Sequence, residues 1–190
     1  MSYHVARYGQ KSLTFWFTCF LQVDVSTDEL PDDKPRYLMG VGFAVDLVVC
    51  SALGCDMFDC VYPTRTARFG SALVRTRPGI LNLRHNSHRM DFGPIEDGCE
   101  CSTCQSGVSR SYIQSLLSTK QTAACHLISV HNVWFQLNLM SDLRQSVKED
   151  RFPSFVKEFF AANFESKAEY PKWATDALKA VNIDLLSTEY

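Results

Sequence analysis

Short apolar runs punctuated by glycine and proline occupy the first half of the chain, and longer stretches with helical apolar spacing occupy the second. Val23 to Asp33 is polar and reads as a helix end and loop, with turn-forming Asp24, Ser26, Thr27 and Asp28. Arg36 to Val41 predicts a compact strand whose mouth is Gly40-Val41-Gly42. Phe43 to Leu53 predicts a helix, with Leu47, Val48, Cys50 and Ala52 apolar and Gly54 at its C-terminal stop. Asp46 falls in its first turn, where a carboxylate suits the positive end of the helix dipole. Met57, Phe58, Cys60, Val61 and Tyr62 predict a second strand, broken only by Asp59 and stopped at Pro63, which has no N–H for a ladder. Thr64 to Phe69 then predicts a basic turn ending at Gly70. Strand, helix, strand at this length is a βαβ unit with parallel strands, and ligands meet such units at the carboxyl ends of the strands.

Downstream, Ala72 to Val74 and Ile80 to Leu83 flank Pro78-Gly79 and predict a β-hairpin or two short strands. Gly107 to Leu117 predicts a helix with Tyr112, Ile113, Leu116 and Leu117 on its apolar face. His126 to Val147 predicts a longer amphipathic helix, and Phe152 to Phe164 another, with Phe155, Val156, Phe159 and Phe160 as core candidates. Tyr170 to Leu186 reads as a short final helix or tail. Near the start, Leu13 to Leu21 is apolar but too short to span a bilayer. It has the look of a signal-peptide core after Arg7 and Lys11, against which stands the intracellular character of everything that follows.

With 190 residues the chain is one domain or part of one. A net charge of −2 excludes a global basic signature for nucleic acid. Any such contact rests on local patches, for which Arg65, Arg68, Arg75, Arg77, Arg84 and Arg89 are candidates. Of eight cysteines, Cys19, Cys50, Cys55, Cys60 and Cys125 are scattered, mostly in apolar runs, as buried thiols are. Cys99, Cys101 and Cys104 are clustered. Without a disulfide context, three sulfurs this close read as ligands of a structural zinc ion in a reducing compartment. A closed site needs a fourth ligand, and His126 and His131 both lie within reach of the pattern. His85 and His88 stand in a basic, polar setting and read as surface residues. Asp59, at a strand end and followed by Arg65 and Arg68, suits a negatively charged substrate: the arginines hold phosphates while the carboxylate faces the reacting carbon. The plainer reading is a cap or a salt bridge between Asp59 and one of these arginines.

The whole stretch from Asp56 to Arg68, Asp-Met-Phe-Asp-Cys-Val-Tyr-Pro-Thr-Arg-Thr-Ala-Arg, closely resembles the active-site segment of the tRNA-guanine transglycosylases, the queuine tRNA-ribosyltransferase family. The likeness extends upstream through Arg36 to Gly42. Downstream it runs through Cys99, Cys101 and Cys104 to His131-Asn132 and Arg151-Phe152-Pro153, covering roughly residues 24 to 186. The ending Thr66 to Leu73 is similar to the eukaryotic catalytic subunit. Residues 1–22 form a divergent segment outside the likeness. Residues 23–190 correspond to the C-terminal part of the family domain, with a zinc subdomain at about 90–135.

The resemblance implies an α/β fold, the C-terminal portion of a TIM (β/α)8 barrel with a zinc-binding subdomain and C-terminal helices. It implies exchange of guanine for queuine at the wobble position (34) of tRNA through a covalent aspartyl intermediate, with Asp59 as nucleophile. Met39 would pack against the base. Gly40, Val41, Gly42, Phe43, Ala44, Val45 and Asp46 would contact RNA, as would Thr64, Arg65, Thr66, Ala67 and Arg68. Cys99, Cys101, Cys104 and His131 would hold Zn2+. The family's general acid/base has no match among these residues, so the chain alone is expected to be inactive. A non-catalytic zinc-containing tRNA- or partner-binding module is the alternative. The resemblance further implies a heterodimer with an accessory subunit. It points to a cytoplasmic location, peripheral association with the mitochondrial outer membrane, and no integral membrane segment.

Overall fold

The computed structural model describes residues 22–31 and 33–187. The divergent segment lies outside these residues except for Gln22, as does the apolar run Leu13 to Leu21. The described residues form two compact units: one comprises those up to Cys60 together with those from Ser146 onward, the other Val61–Gln145.

In the first unit, residues 22–29 are helical (α1). Strand β1, Tyr37–Met39, is followed by helix α2, Ala44–Ala52, and strand β2, Met57–Asp59. The strands pair in parallel, Tyr37 with Met57, Leu38 with Phe58 and Met39 with Asp59, so the expected βαβ unit is present. Phe43 and Leu53 flank α2 as its caps. The helix buries Val45, Asp46, Leu47, Val48, Val49 and Cys50 in succession, so it is enclosed around most of its circumference. Helix α8, Lys172–Ala180, packs against it and contributes buried Trp173, Ala174 and Leu178. Helix α7, Phe152–Asn163, carries an aromatic ladder. Phe160 is fully buried, with its ring 5.6 Å from Phe164 and 5.4 Å from Tyr170. Burial of such a ring contributes about 1.5–3 kcal/mol before ring-pair geometry is counted.

The second unit begins with a correction. Residues expected to end a strand and form a basic turn are instead helix α3, Tyr62–Arg68. Pro63 breaks a strand, but in the first turn of a helix its missing N–H is not needed and its fixed φ is already helical. The strand therefore stops at Asp59, three residues short of the apolar run's end. Gly70 closes α3 with φ +78°, and a Cβ there would lie 2.8 Å from Arg84 Cγ, so the position demands glycine.

Strands β3, Ser71–Leu73, and β4, Ile80–Asn82, pair antiparallel, Ala72 opposite Leu81. A 3-10 turn, Asn86–Met90, follows. There His85 is exposed, and His88 Nδ1 lies 3.3 Å from Asp91 Oδ2. Next come α4, Ser102–Gln105, α5, Arg110–Ser118, and α6, Thr122–Lys148. Helix α5 starts three residues later than expected because Ser109 caps it, its Oγ accepting from Tyr112 N at 3.1 Å. Ala67, Ala72, Val74, Leu83, Ile95, Ile113, Leu117, Ala124 and Ile128 form one core.

Among the described residues the strands make two two-stranded sheets, one parallel and one antiparallel. The α/β character stands, and the strands of the described residues do not close a barrel, as expected of a portion of one, since closure takes eight strands and roughly 250 residues. No helix among the described residues is long and apolar enough to cross a membrane.

Candidate functional site

The carboxyl ends of β1 and β2 bring Met39, Gly40 and Asp59 together. Gly40 N donates to Asp59 O at 2.8 Å and lies 3.3 Å from Asp59 Oδ1, so the carboxylate is anchored at the mouth of the neighbouring strand. Asp59 is exposed. Tyr37, two residues before Met39 on the same strand face, donates its phenol to Asp59. That bond raises the Tyr37 pKa above its usual value, ahead of a small loss of solvation and the carboxylate's charge. Met39 is 74% exposed. Gly40 has φ +85° with nothing within 4 Å of where a Cβ would sit, leaving room for a ligand against the backbone. A cavity of about 520 Å³ runs beside this mouth, lined by Tyr37, Leu38, Met39, Gly40 and Val41 with Cys50 and Cys55 behind.

The segment from Gly42 turns inward as α2 begins. Phe43 and Ala44 are half-buried, and Gly42, Val45 and Asp46 are buried. Asp46 is 1% exposed, and neither carboxylate oxygen has a hydrogen-bond partner among the described residues. Burial pushes its pKa up to about 7, so between about pH 4 and 7 it keeps a proton that an ordinary aspartate has lost.

In the second unit, α3 faces two ways. Pro63, Thr66 and Ala67 are buried, while Thr64, Arg65 and Arg68 are exposed. Positions three apart share a helix face, so the two guanidinium groups form one outward pair.

The cysteine cluster is also built in this unit. Cys101 caps α4, its sulfur accepting from Cys104 N at 3.3 Å, and Cys99 Sγ accepts from Cys101 N at 3.5 Å. His131 Nδ1 lies 3.5 Å from Cys99 Sγ, 3.5 Å from Cys101 Sγ and 3.6 Å from Cys104 Sγ. All four ligand atoms fall within 4.8 Å of one another, an arrangement that could hold a metal ion. His131 Nε2 donates to Leu73 O at 2.7 Å, which leaves Nδ1 with its lone pair toward the sulfurs. Burial, above all, pushes the Cys99 thiol far up, and a cation among the sulfurs would reverse that. The two open choices for the fourth ligand thus separate: His131 is fully buried in the cluster, and His126 is exposed and outside it.

Tyr37 and Asn132 fall within the stretches that carry the family likeness but were given no role from the sequence. Tyr37 had a signal, the period-2 placement that puts it on the Met39 face. Asn132 had only its adjacency to a ligand.

The chain matches the family model described as queuine tRNA-ribosyltransferase over residues 18–165. It is 58% identical over 168 residues to the queuine tRNA-ribosyltransferase catalytic subunit of Schizosaccharomyces pombe, covering 85% of this chain and 41% of that protein. It is 48% identical over 162 residues to the catalytic subunit of Caenorhabditis elegans, covering 78% and 40%. To the queuine tRNA-ribosyltransferase of Thermus thermophilus it is 45% identical over 161 residues, covering 85% and 40%. The chain therefore spans about two fifths of the length of the curated relatives it matches.

Proposed function

The chain belongs to the queuine tRNA-ribosyltransferase family, and on that premise we propose that it supplies the nucleophile and the RNA-recognition segments of a tRNA base-exchange enzyme. Asp59 attacks the ribose C1′ at the wobble position, a C–O bond forms as the C–N bond to guanine breaks, and the departing base takes a proton. The incoming queuine then bonds C1′ through its ring nitrogen as the C–O bond to Asp59 breaks, giving up its N–H proton to the group that protonated guanine, and the carboxylate is restored. This is double displacement through oxocarbenium-like transition states, as in retaining glycosidases. The observation that carries the reading is the exposed Asp59 carboxylate at a strand's carboxyl end, beside the open backbone of Gly40 and the exposed Met39. Tyr37 and Gly40 N both hydrogen-bond the carboxylate and hold its orientation.

Met39 packs on the base, and Gly40, Val41, Phe43 and Ala44 approach the RNA backbone, with buried Gly42 turning the segment inward. Val45 and Asp46 support that segment from beneath. Arg65 and Arg68 engage RNA phosphates or base edges from α3, with Thr64 beside them and Thr66 and Ala67 anchoring the helix.

Cys99, Cys101, Cys104 and His131 would hold Zn2+ in a structural role. Tetrahedral bonds of about 2.3 Å to sulfur and 2.0–2.1 Å to nitrogen place S and N about 3.6 Å apart. The three observed separations of 3.5, 3.5 and 3.6 Å match that spacing. Three cysteines and one histidine close the site and leave no position for a reactive water.

No residue of this chain is assigned the general acid/base, so exchange requires a carboxyl group from another polypeptide segment, and an accessory subunit is the proposed heterodimer partner. A cytoplasmic location with peripheral mitochondrial association belongs to the same reading. The test is incorporation of labelled guanine into tRNA by the chain alone and together with the accessory subunit. Exchange is expected only in an assembly that completes the site, and it is expected to be abolished by Asp59→Ala. Activity that survives Asp59→Ala overturns the nucleophile assignment.

A further inference from the structure

Asn132 follows the cluster histidine and is fully buried. Its Nδ2 donates to Pro63 O at 3.0 Å and to Ser71 O at 3.1 Å, and its Oδ1 accepts from Leu73 N at 2.8 Å. Both donor hydrogens and the acceptor are thus committed to main-chain groups. His131, one residue earlier on α6, takes the remaining polar group of Leu73 through Nε2 at 2.7 Å. Two adjacent residues of one helix therefore claim the N–H and C=O of Leu73 at the end of β3. Asn132 alone reaches on to Pro63 in the first turn of α3.

Only a carboxamide fits this triangle. Aspartate lacks the two donors and would turn an anion on two carbonyl oxygens. An apolar side chain would leave the buried Leu73 N–H without its acceptor and would release the carbonyls of Pro63 and Ser71 from their shared donor.

We propose that Asn132 is a positioning residue for RNA recognition. It fixes the start of α3, and with it the outward pair Arg65 and Arg68, relative to the Cys99–Cys101–Cys104–His131 cluster. The metal centre and the recognition helix are then one rigid piece, joined by neighbouring residues of α6. This rests on the proposed reading of α3 as an RNA-contacting element.

The test is hydrogen exchange followed by mass spectrometry on the zinc-loaded chain. Wild type is compared with Asn132→Asp and with Ile128→Val, a core change one turn away on the same helix. Zinc content and affinity for a tRNA anticodon stem-loop are measured in parallel. In Asn132→Asp, exchange over residues 62–70 is expected to rise about tenfold relative to residues 110–118. One zinc equivalent is retained and stem-loop affinity falls severalfold. In Ile128→Val the two segments change together and affinity holds. An α3 segment that keeps its wild-type protection relative to α5 in a folded Asn132→Asp chain overturns the proposal.

Should Asn132→Asp fail to fold, the wild-type chain answers directly. Both Asn132 side-chain amide protons are expected to be strongly protected in its NMR spectrum, and exchange at the solvent rate overturns the proposal. Failure of the wild-type chain to bind the stem-loop counts against the RNA reading, whereas unchanged α3 protection counts against Asn132.

Discussion

Asp46→Asn should stabilise the protein, by an amount set by pH. The wild-type carboxyl is buried inside α2 without a partner among the described residues, and its pKa rises from 3.8 to about 7 on folding. That gap of roughly three pH units, at 1.36 kcal/mol each, corresponds to about 4 kcal/mol. The sign follows from which state holds the proton. Below pH 3.8 the group is protonated in both states and makes no difference. As pH rises toward 7 the unfolded chain ionises first while the folded chain keeps its proton, so the unfolded state gains and stability falls. Above 7 both states are charged and the full deficit persists. The Asp46→Asn side chain has nearly the same shape and never ionises.

Urea unfolding followed by far-ultraviolet circular dichroism measures the difference between the two proteins. Any pH dependence of metal–thiolate bonding is common to both and cancels. The variant should be more stable by about 1.5 kcal/mol at pH 5, about 3 at pH 6 and about 4 at pH 8. A difference that stays flat across this range, or a wild type that is the more stable at pH 8, would refute the reasoning and mean that the carboxylate is paired in solution.

Removal of zinc by a strong chelator at neutral pH should unfold the second unit, seen as loss of helical signal that added zinc restores. His131→Ala should lose the metal by atomic emission analysis, whereas His126→Ala should keep one equivalent. Phe160→Ala should cost about 3–5 kcal/mol in urea unfolding, because the ring is fully buried and packs on both Phe164 and Tyr170; a loss below about 1 kcal/mol would mean the ladder is not packed.

Elements whose apolar period matched one environment were legible in the sequence. The βαβ unit, the antiparallel strands and the α6 and α7 helices stand within a few residues of where the pattern places them. The cysteine cluster was legible because three sulfurs at that spacing have few other uses. The choice of His131 over His126 was also available. Ala124, Ile128, Phe135, Leu139 and Leu143 mark the buried stripe of α6, and His131 lies on it while His126 does not.

Helix α3 was missed because a proline after an apolar run signals a strand end as readily as a helix start, and only the packing of Thr66 and Ala67 decides. Asp46 looked like an ordinary first-turn carboxylate, and its burial depends on α2 being enclosed, including by α8 from the far end of the chain. Asn132 was silent for a similar reason. Its partners, Pro63, Ser71 and Leu73, lie 69, 61 and 59 positions away.

Equilibrium binding of a fluorescent tRNA anticodon stem-loop with guanine at position 34, followed by anisotropy across a salt series, tests the central claim most directly. The zinc-loaded chain should bind saturably. Arg65→Ala and Arg68→Ala should each weaken binding severalfold and flatten the salt dependence by about one unit of log–log slope. A folded, metal-loaded chain that does not bind the stem-loop, or that binds it as well without either arginine, would contradict the account.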